Sequence, residues 1–164
     1  MGWCCLHTPH KHGSYHYVPT TDFKDLTTKD KRTVDYVQQR IHGLSYYPPP
    51  GQGRSYPSLY KDIQKLYRRY STPTTPYVAY KGGSCEKTLL TSLHIPCWNL
   101  ELLGCPSFEQ LPRLRTIASC GQHADFLNNH CPIVETYHFV TWLRRYLNLP
   151  YDTSYVNWKS SLIN

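Results

Sequence analysis

A strand–helix–strand pattern in the middle of the chain is the feature that most constrains its fold. Residues 77–83, YVAYKGG, are typical of a short strand that ends in a glycine turn. Residues 84–95, SCEKTLLTSLHI, predict a helix with Ser84 near its N-cap. Residues 96–106, PCWNLELLGCP, predict a second short strand closed by glycine and proline. This alternation of strands and helices predicts an α/β domain with a mixed sheet.

Three further segments have helical periodicity. Residues 27–43 place apolar side chains on one face and end at Gly43, where a C-cap glycine belongs. Residues 56–70, YPSLYKDIQKLYRRY, predict a second amphipathic helix with its basic residues mainly off the apolar stripe. The last predicted helix runs from about Pro132 to Leu147. Together with the central pattern, these segments predict helices that flank the sheet.

The length of 164 residues is that of one domain. A hydrophobic content of 40% with 18% charged residues is typical of a globular chain. We expect an irregular N-terminal segment over residues 1–26, a folded domain over residues 27–150 and a C-terminal tail over residues 151–164. Too few strands are evident for a complete sheet, so further strands are expected within residues 1–26 or 108–118.

The formal net charge of +7 and the pI of about 9.0 favour an acidic partner, of which nucleic acid is the commonest. The alternative is that dispersed positive charge only aids solubility. The basic residues do cluster along the sequence, as Lys61, Lys65, Arg68 and Arg69 and as Arg113, Arg115, Arg144 and Arg145.

Seven cysteines are present, and the first 20 residues lack the apolar run of a secretory signal. No stretch of 18 apolar residues occurs, so no membrane span is expected. These features favour an intracellular, reducing compartment, in the cytoplasm or the nucleus. In such a compartment, clustered cysteine and histidine indicate metal ligands before disulfides.

A Cys-x2-His-x7-Cys pattern precedes the last helix and provides Cys120, His123 and Cys131. Zinc prefers such ligands in tetrahedral geometry, and the short spacing lets two side chains converge on one ion. The pattern therefore predicts a structural zinc site whose fourth ligand the sequence does not identify. The alternative is that the cysteines are buried free thiols packed as small hydrophobic side chains.

A second pattern overlaps this one, with His130 and Glu135 separated by four residues at the entrance of the last helix. A carboxylate there can hold a divalent cation while the imidazole orients or deprotonates a water molecule. Glu86, which follows the first strand and its glycine turn, is the candidate for a second carboxylate. The alternative for Glu86 is a first-turn glutamate favoured by the helix dipole.

The series RTVDYVQQRIHGL, YVAYKGGSCEKTLL, NLELLGCP and HCPIVETYHFVTWL resembles the DEDDh class of proofreading-type 3′–5′ exonucleases. The resemblance covers roughly residues 30–147 and implies a ribonuclease H-like mixed sheet flanked by helices. It also implies magnesium or manganese as the catalytic metal and Glu86, His130 and Glu135 as catalytic residues, with glutamate replacing the aspartate of the last motif. The Asp-x-Glu pair of the first motif is absent, which implies a form that lacks its first strands or a descendant that has lost catalysis.

The Cys-His-Cys spacing is also similar to that of the Maelstrom domain, which has the same exonuclease fold and a zinc site in place of the acidic one. This resemblance implies that Cys120, His123 and Cys131 bind zinc on an exonuclease-like scaffold. Similar exonuclease-like reading frames occur in mobile elements and large DNA viruses, and an origin of that kind is compatible with the pattern.

The leading hypothesis is therefore a catalytically degenerate, exonuclease-like domain that binds single-stranded RNA or DNA. Phosphates are expected to contact Lys81, Arg113, Arg144 or Arg145, and bases to stack on exposed tyrosines. Two alternatives stay open: an active metal-dependent 3′–5′ exonuclease, and a zinc-stapled protein-interaction module.

Overall fold

The computed structural model describes residues 1–114, 120 and 131–150. Within this part, the protein is a mixed α/β structure with four α-helices and three small sheets. The helices are α1 (Thr28–Val37), α2 (Ser58–Tyr70), α3 (Ser84–Ser92) and α4 (Pro132–Tyr146). The strands are β1 (Gly2–Cys4), β2 (His12–Ser14), β3 (Tyr17–Val18), β4 (Arg54–Ser55), β5 (Val78–Tyr80) and β6 (Cys97–Asn99).

The predicted strand–helix–strand unit is confirmed as β5–α3–β6. The two strands pair in parallel, with Ala79 opposite Trp98 at the centre of the register. The second predicted strand is shorter than expected, because Leu100–Leu103 turn into a 3-10 helix that ends at Gly104. Gly104 has a φ of +89°, a left-handed conformation that glycine adopts without strain. The parallel pair is thus closed on its C-terminal side by a tight helical turn.

The α/β class is confirmed, but the described strands do not form one continuous mixed sheet. β1 and β2 pair antiparallel, β3 and β4 pair parallel, and β5 and β6 make the third two-stranded sheet. Each strand is two or three residues long, so the helices contribute much of the regular structure.

The N-terminal segment over residues 1–26, which was predicted to be irregular, differs from that prediction. It contains β1, β2, β3 and a short 3-10 helix at Phe23–Asp25. β1 packs directly on α4, so closely that a Cβ atom on Gly2 would lie 2.6 Å from atoms of Pro132. Further strands were expected in this segment but could not be located from the sequence, because β1 and β2 pack on α4, about 120 residues away along the chain, and β3 pairs with β4.

Both ends of the helix predicted over residues 27–43 agree with the structure. The side chain of Thr27 accepts a hydrogen bond from the Asp30 N–H, and this N-cap starts the helix. The helix continues as a π-helical turn, Gln38–His42, and ends at Gly43 with a φ of +64°. None of the residues in α1 is buried.

The main core lies between α4, the 3-10 turn after β6 and the N-terminal hairpin. Leu100, Cys105 and Leu143 are buried at its centre, with Leu6 and Phe139 among the side chains packed against them. Tyr137 and Cys131 are the largest side chains that are almost completely enclosed. In the described part of the chain, no helix is long and apolar enough to cross a membrane.

Candidate nucleic-acid interface and catalytic residues

Glu86 lies in the first turn of α3, where the sequence placed it. Gly82 and Gly83 form the turn that leads from β5 into the helix, and Gly82 has a φ of +150°. The Glu86 carboxylate lies over Gly82, since a Cβ atom there would be 2.9 Å from Oε1 of Glu86. Burial is the main factor that raises the pKa of the nearby Tyr80, and the neighbouring acidic groups, Glu86 among them, add to it. Glu86 is exposed and beside a helix N-terminus, a position that stabilises a carboxylate without a metal.

Lys81 is the first of the predicted phosphate contacts. Its ammonium group lies 2.9 Å from Oε1 of Glu101 and 5.8 Å from the ring centroid of Phe139. The Lys81 side chain is only 14% exposed, so it lies largely beneath the surface. Its charge therefore helps to join the β5–β6 edge to α4.

The Arg113 and Arg144 guanidinium groups also make contacts within the protein. Arg113 lies over the Phe108 ring at 4.1 Å from its centroid. Arg144 donates hydrogen bonds to the carbonyl oxygens of Leu6 and Pro150, which fastens the N-terminal hairpin to α4. Arg145, in the last turn of α4, is exposed.

Glu135 lies one turn inside α4, in a half-buried position against the 3-10 turn Phe108–Gln110. The pKa of its carboxyl group is raised to about 7, mainly by burial and also by the nearby Glu109, while Arg113 opposes both effects. A carboxyl group with this pKa is partly protonated near neutral pH in the metal-free protein, so metal binding there would release a proton. Its predicted partner His130 lies outside the described residues.

The predicted metal ligands Cys120 and Cys131 lie together. The N–H of Cys120 donates a 3.3 Å hydrogen bond to Sγ of Cys131, which is completely buried at the N-cap of α4. His123 lies outside the described residues. Among residues 1–114, 120 and 131–150, no group of three or more His, Cys, Asp or Glu side chains is arranged to hold a metal ion.

A pair of stacked aromatic side chains, not predicted from the sequence, lies on an exposed face of β5–β6. The rings of Tyr77 and Trp98 are 4.6 Å apart at an interplanar angle of 24°, and the residues are 43% and 37% exposed. Trp98 is paired with Ala79 across the strands, and Tyr77 lies two residues before Ala79, so all three belong to one face. The signal that could have found this face is the two-residue periodicity of the strands.

The basic C-terminal turn of α2 is hydrogen-bonded to the residue that precedes Tyr77. The hydroxyl of Tyr67 donates a 2.8 Å hydrogen bond to the carbonyl of Pro76, which places the last turn of α2 beside Tyr77. That turn carries Arg68 and Arg69, and both are exposed. We call Tyr77, Trp98, Arg68 and Arg69 the aromatic–basic surface.

An ion pair between the buried Asp62 and the exposed Arg54 was also not predicted from the sequence. Nε and Nη2 of Arg54 donate hydrogen bonds of 2.8 and 2.6 Å to the two carboxylate oxygens of Asp62. Tyr17 donates a third hydrogen bond to this carboxylate, and the Tyr15 ring lies 4.9 Å from the guanidinium group. The hydrogen bond from Arg54 is the main factor that holds the pKa of Asp62 below its usual value. Both carboxylate oxygens of Asp62 accept hydrogen bonds, so this cluster acts as a structural clamp that joins β3–β4 to α2.

No protein-family model matches the chain, and neither a curated protein nor a solved structure matches it.

Proposed function

We propose that this protein binds single-stranded RNA or DNA through the aromatic–basic surface. The observation that supports this function best is the exposed stack of Tyr77 and Trp98 on a parallel strand pair. Parallel sheets are normally covered on both faces, so an open face with two aromatic rings is suited to a partner. Nucleobases stack on such rings whatever their sequence, and each stacked base contributes about 1–3 kcal/mol.

The charge of the same surface supports a polyanionic partner. Arg68 and Arg69 are exposed in the turn that Tyr67 ties to the start of β5. Guanidinium groups form paired hydrogen bonds with phosphate oxygens, so this end of α2 is suited to contact the backbone of a strand whose bases stack on Tyr77 and Trp98. Of the predicted contacts, Lys81 and Arg144 are half-buried and bind groups of the protein itself. Arg113 is exposed and lies over the Phe108 ring, just as Arg69 is exposed and lies over the Tyr70 ring. The proposal therefore places the main phosphate contacts on α2 and keeps Arg113 and Arg145 as outlying ones.

For the scaffold, we propose a degenerate, ribonuclease H-like ancestry of the DEDDh exonuclease type. In support, Glu86 follows a strand and a glycine turn, and Glu135 lies one turn inside the last helix, in the order that the resemblance requires. Against activity, Glu86 is exposed beside Gly82 and Glu135 is half-buried beside Glu109 and Arg113. The sequence also lacks the Asp-x-Glu pair that would anchor two metal ions.

Zinc at Cys120, His123 and Cys131 is a separate proposal about the same scaffold. The hydrogen bond from the Cys120 N–H to Sγ of Cys131 supports it, because hydrogen bonds to metal ligands orient them and tune the metal site. A zinc ion there would fasten the connector before α4 to the helix and would leave the aromatic–basic surface untouched. The interaction-module alternative shares this zinc but predicts no affinity for oligonucleotides.

The deciding experiment is a fluorescence-anisotropy titration with labelled single strands of about 12 nucleotides, as RNA and as DNA. Tyr77→Ala and Trp98→Ala are each expected to weaken binding about tenfold or more, since each removes a stacking ring. Tyr56→Ala is the matched control, because Tyr56 is 45% exposed and Tyr77 is 43% exposed. Wild-type protein that does not bind either strand, or equal Kd values for all four proteins, would overturn the proposal.

A further inference from the structure

Two cysteines that are eleven residues apart in sequence lie next to each other at the N-terminus of α4. Sγ of Cys131 is 3.3 Å from the backbone nitrogen of Cys120. Because that nitrogen is bonded to the Cα atom of Cys120, Sγ of Cys131 lies within about 4.8 Å of this Cα. Bridged cysteines require Cβ atoms about 3.5–4.5 Å apart, and this placement is compatible with that distance.

We propose that Cys120 and Cys131 are a redox pair that closes to an intramolecular disulfide in reaction with a small disulfide oxidant such as oxidised glutathione. The bridge would close a loop of residues 120–131 and pin the connector to the N-cap of α4. The same two sulfurs are the predicted zinc ligands, so oxidation and zinc binding exclude each other.

Cys120 is the more accessible of the two cysteines. Cys120 is half-buried and lines a cleft of about 260 Å³, together with Ser14, Tyr15 and Pro132, whereas Cys131 is completely buried. The oxidant therefore meets Cys120 first. The thiolate of Cys120 attacks one sulfur of the oxidant and releases one glutathione thiol.

The second step uses Cys131 as the resolving group. Its thiolate attacks Sγ of Cys120 in the mixed disulfide and releases the second glutathione. Two cysteine thiols lose two electrons, the oxidant disulfide gains them, and the two cysteine protons end on the two released thiols. Cys131 already lies against the residue that carries the mixed disulfide, which favours closure over a lasting adduct.

Cys4 and Cys105 have surroundings that do not favour this reaction. The Cys4 thiol donates a hydrogen bond to the Pro9 carbonyl, and burial raises its pKa to about 12. Cys105 is buried in the core, where burial raises its pKa. Cys85 is exposed in the first turn of α3 and serves as a reporter that the oxidant is active.

The test is oxidation of the full chain by oxidised glutathione in the presence of EDTA, followed by alkylation, trypsin digestion and mass spectrometry. The sequence contains no Lys or Arg between Arg115 and Arg144, so both cysteines fall in the single peptide 116–144. The expected result is loss of about 2 Da from this peptide with no alkyl group, because bridge formation removes two hydrogens. The peptide that carries Cys85 is expected to gain glutathione under the same conditions.

Two cysteine variants test whether the bridge is specific to Cys120 and Cys131. Cys120→Ser is expected to abolish the bridge, and Cys85→Ser to leave it unchanged. Should peptide 116–144 of the wild type stay fully alkylated while Cys85 is modified, the two thiols do not form a pair and the proposal is wrong. A glutathione adduct that persists on Cys120 without bridge formation would equally overturn it.

Discussion

The hydroxyl of Tyr17 donates a 2.8 Å hydrogen bond to Oδ2 of Asp62 and so joins β3 to α2. Asp62 is the one buried residue of α2, and its two carboxylate oxygens also accept from Arg54. A buried carboxylate is stable only when its oxygens are hydrogen-bonded, so each donor matters for the packing of this helix.

Removal of the Tyr17 hydroxyl tests this clamp. Tyr17→Phe keeps the ring and deletes one hydrogen bond to the buried carboxylate, which is expected to lower the free energy of unfolding by about 1 kcal/mol. Urea unfolding followed by circular dichroism measures the difference. Tyr15→Phe is the control, since it keeps the ring that lies against Arg54. Equal midpoints for Tyr17→Phe and the wild type would show that Asp62 does not depend on this donor.

The raised pKa of Glu135 predicts a pH dependence of stability. Its carboxyl group has a pKa of about 7 in the folded protein and 4.5 as the ordinary value, so folding favours the protonated form. The contribution is complete below the ordinary value and is lost as the pH rises through about 7. Glu135→Gln mimics the protonated form and is expected to stabilise the protein at pH 8 by about 1 kcal/mol after allowance for solvent screening.

Thermal melts from pH 4 to pH 8 measure this effect. The variant and the wild type are expected to agree at the acidic end and to separate as the pH rises. Asp35→Asn removes an exposed carboxylate from α1 and is the matched control. A difference between Glu135→Gln and the wild type that does not change with pH would contradict the assignment of this titration to Glu135.

Hydrolysis of nucleic acid is not expected. The sequence has no Asp-x-Glu pair that would anchor two metal ions. End-labelled single strands of RNA and DNA should remain intact with magnesium, with manganese and with EDTA, while a gel shift shows binding. Metal-dependent loss of label that disappears in Glu86→Ala, His130→Ala and Glu135→Ala would instead support the active exonuclease.

Zinc binding is predicted to be stoichiometric. Purified protein should contain about one zinc per chain by elemental analysis, and Cys120→Ser should lose the metal and melt at a lower temperature, because structural zinc binding is coupled to folding. Cys85→Ser, a change at an exposed cysteine, should retain both metal and melting temperature. Metal-free wild-type protein together with unaltered melting of Cys120→Ser would refute the zinc proposal.

Local patterns predicted the elements that depend on local interactions. The helix over residues 27–43 has its own N-cap at Thr27 and its own glycine at Gly43, and the structure confirms both ends. The β5–α3–β6 unit was predicted for the same reason, since its strands and helix are separated by strong turn residues.

Contacts between distant residues were not predictable in this way. The hairpin of β1 and β2 is ordered by α4, and the carboxylate of Asp62 is buried by Arg54 and Tyr17 from other segments. The roles of Lys81 and Arg144 were missed because sequence shows a charge but not the carboxylate or carbonyl that binds it. Tyr77 and Trp98 are 21 residues apart in the chain, and only the parallel register brings their rings together.

The basic half of the aromatic–basic surface predicts how binding depends on salt. Each cation that contacts a phosphate releases counterions, so the logarithm of the binding constant falls linearly with the logarithm of salt concentration, with a slope of about −0.7 per contact on single strands. The double variant Arg68→Gln/Arg69→Gln should therefore bind more weakly and reduce the slope by about 1.4. Tyr77→Ala should weaken binding at every salt concentration and leave the slope unchanged, since stacking releases no ions.

The matched control is Arg32→Gln/Arg40→Gln, which removes the same charge from exposed positions on α1 and the π-helical turn that follows it. Anisotropy titrations at four salt concentrations give all the slopes. If the control variant reduces the slope as much as the α2 variant does, the attraction is a property of the net charge alone. A reduction confined to the α2 variant locates the phosphate contacts at the end of α2, the helix end that the hydrogen bond from Tyr67 to Pro76 ties to the residue before Tyr77.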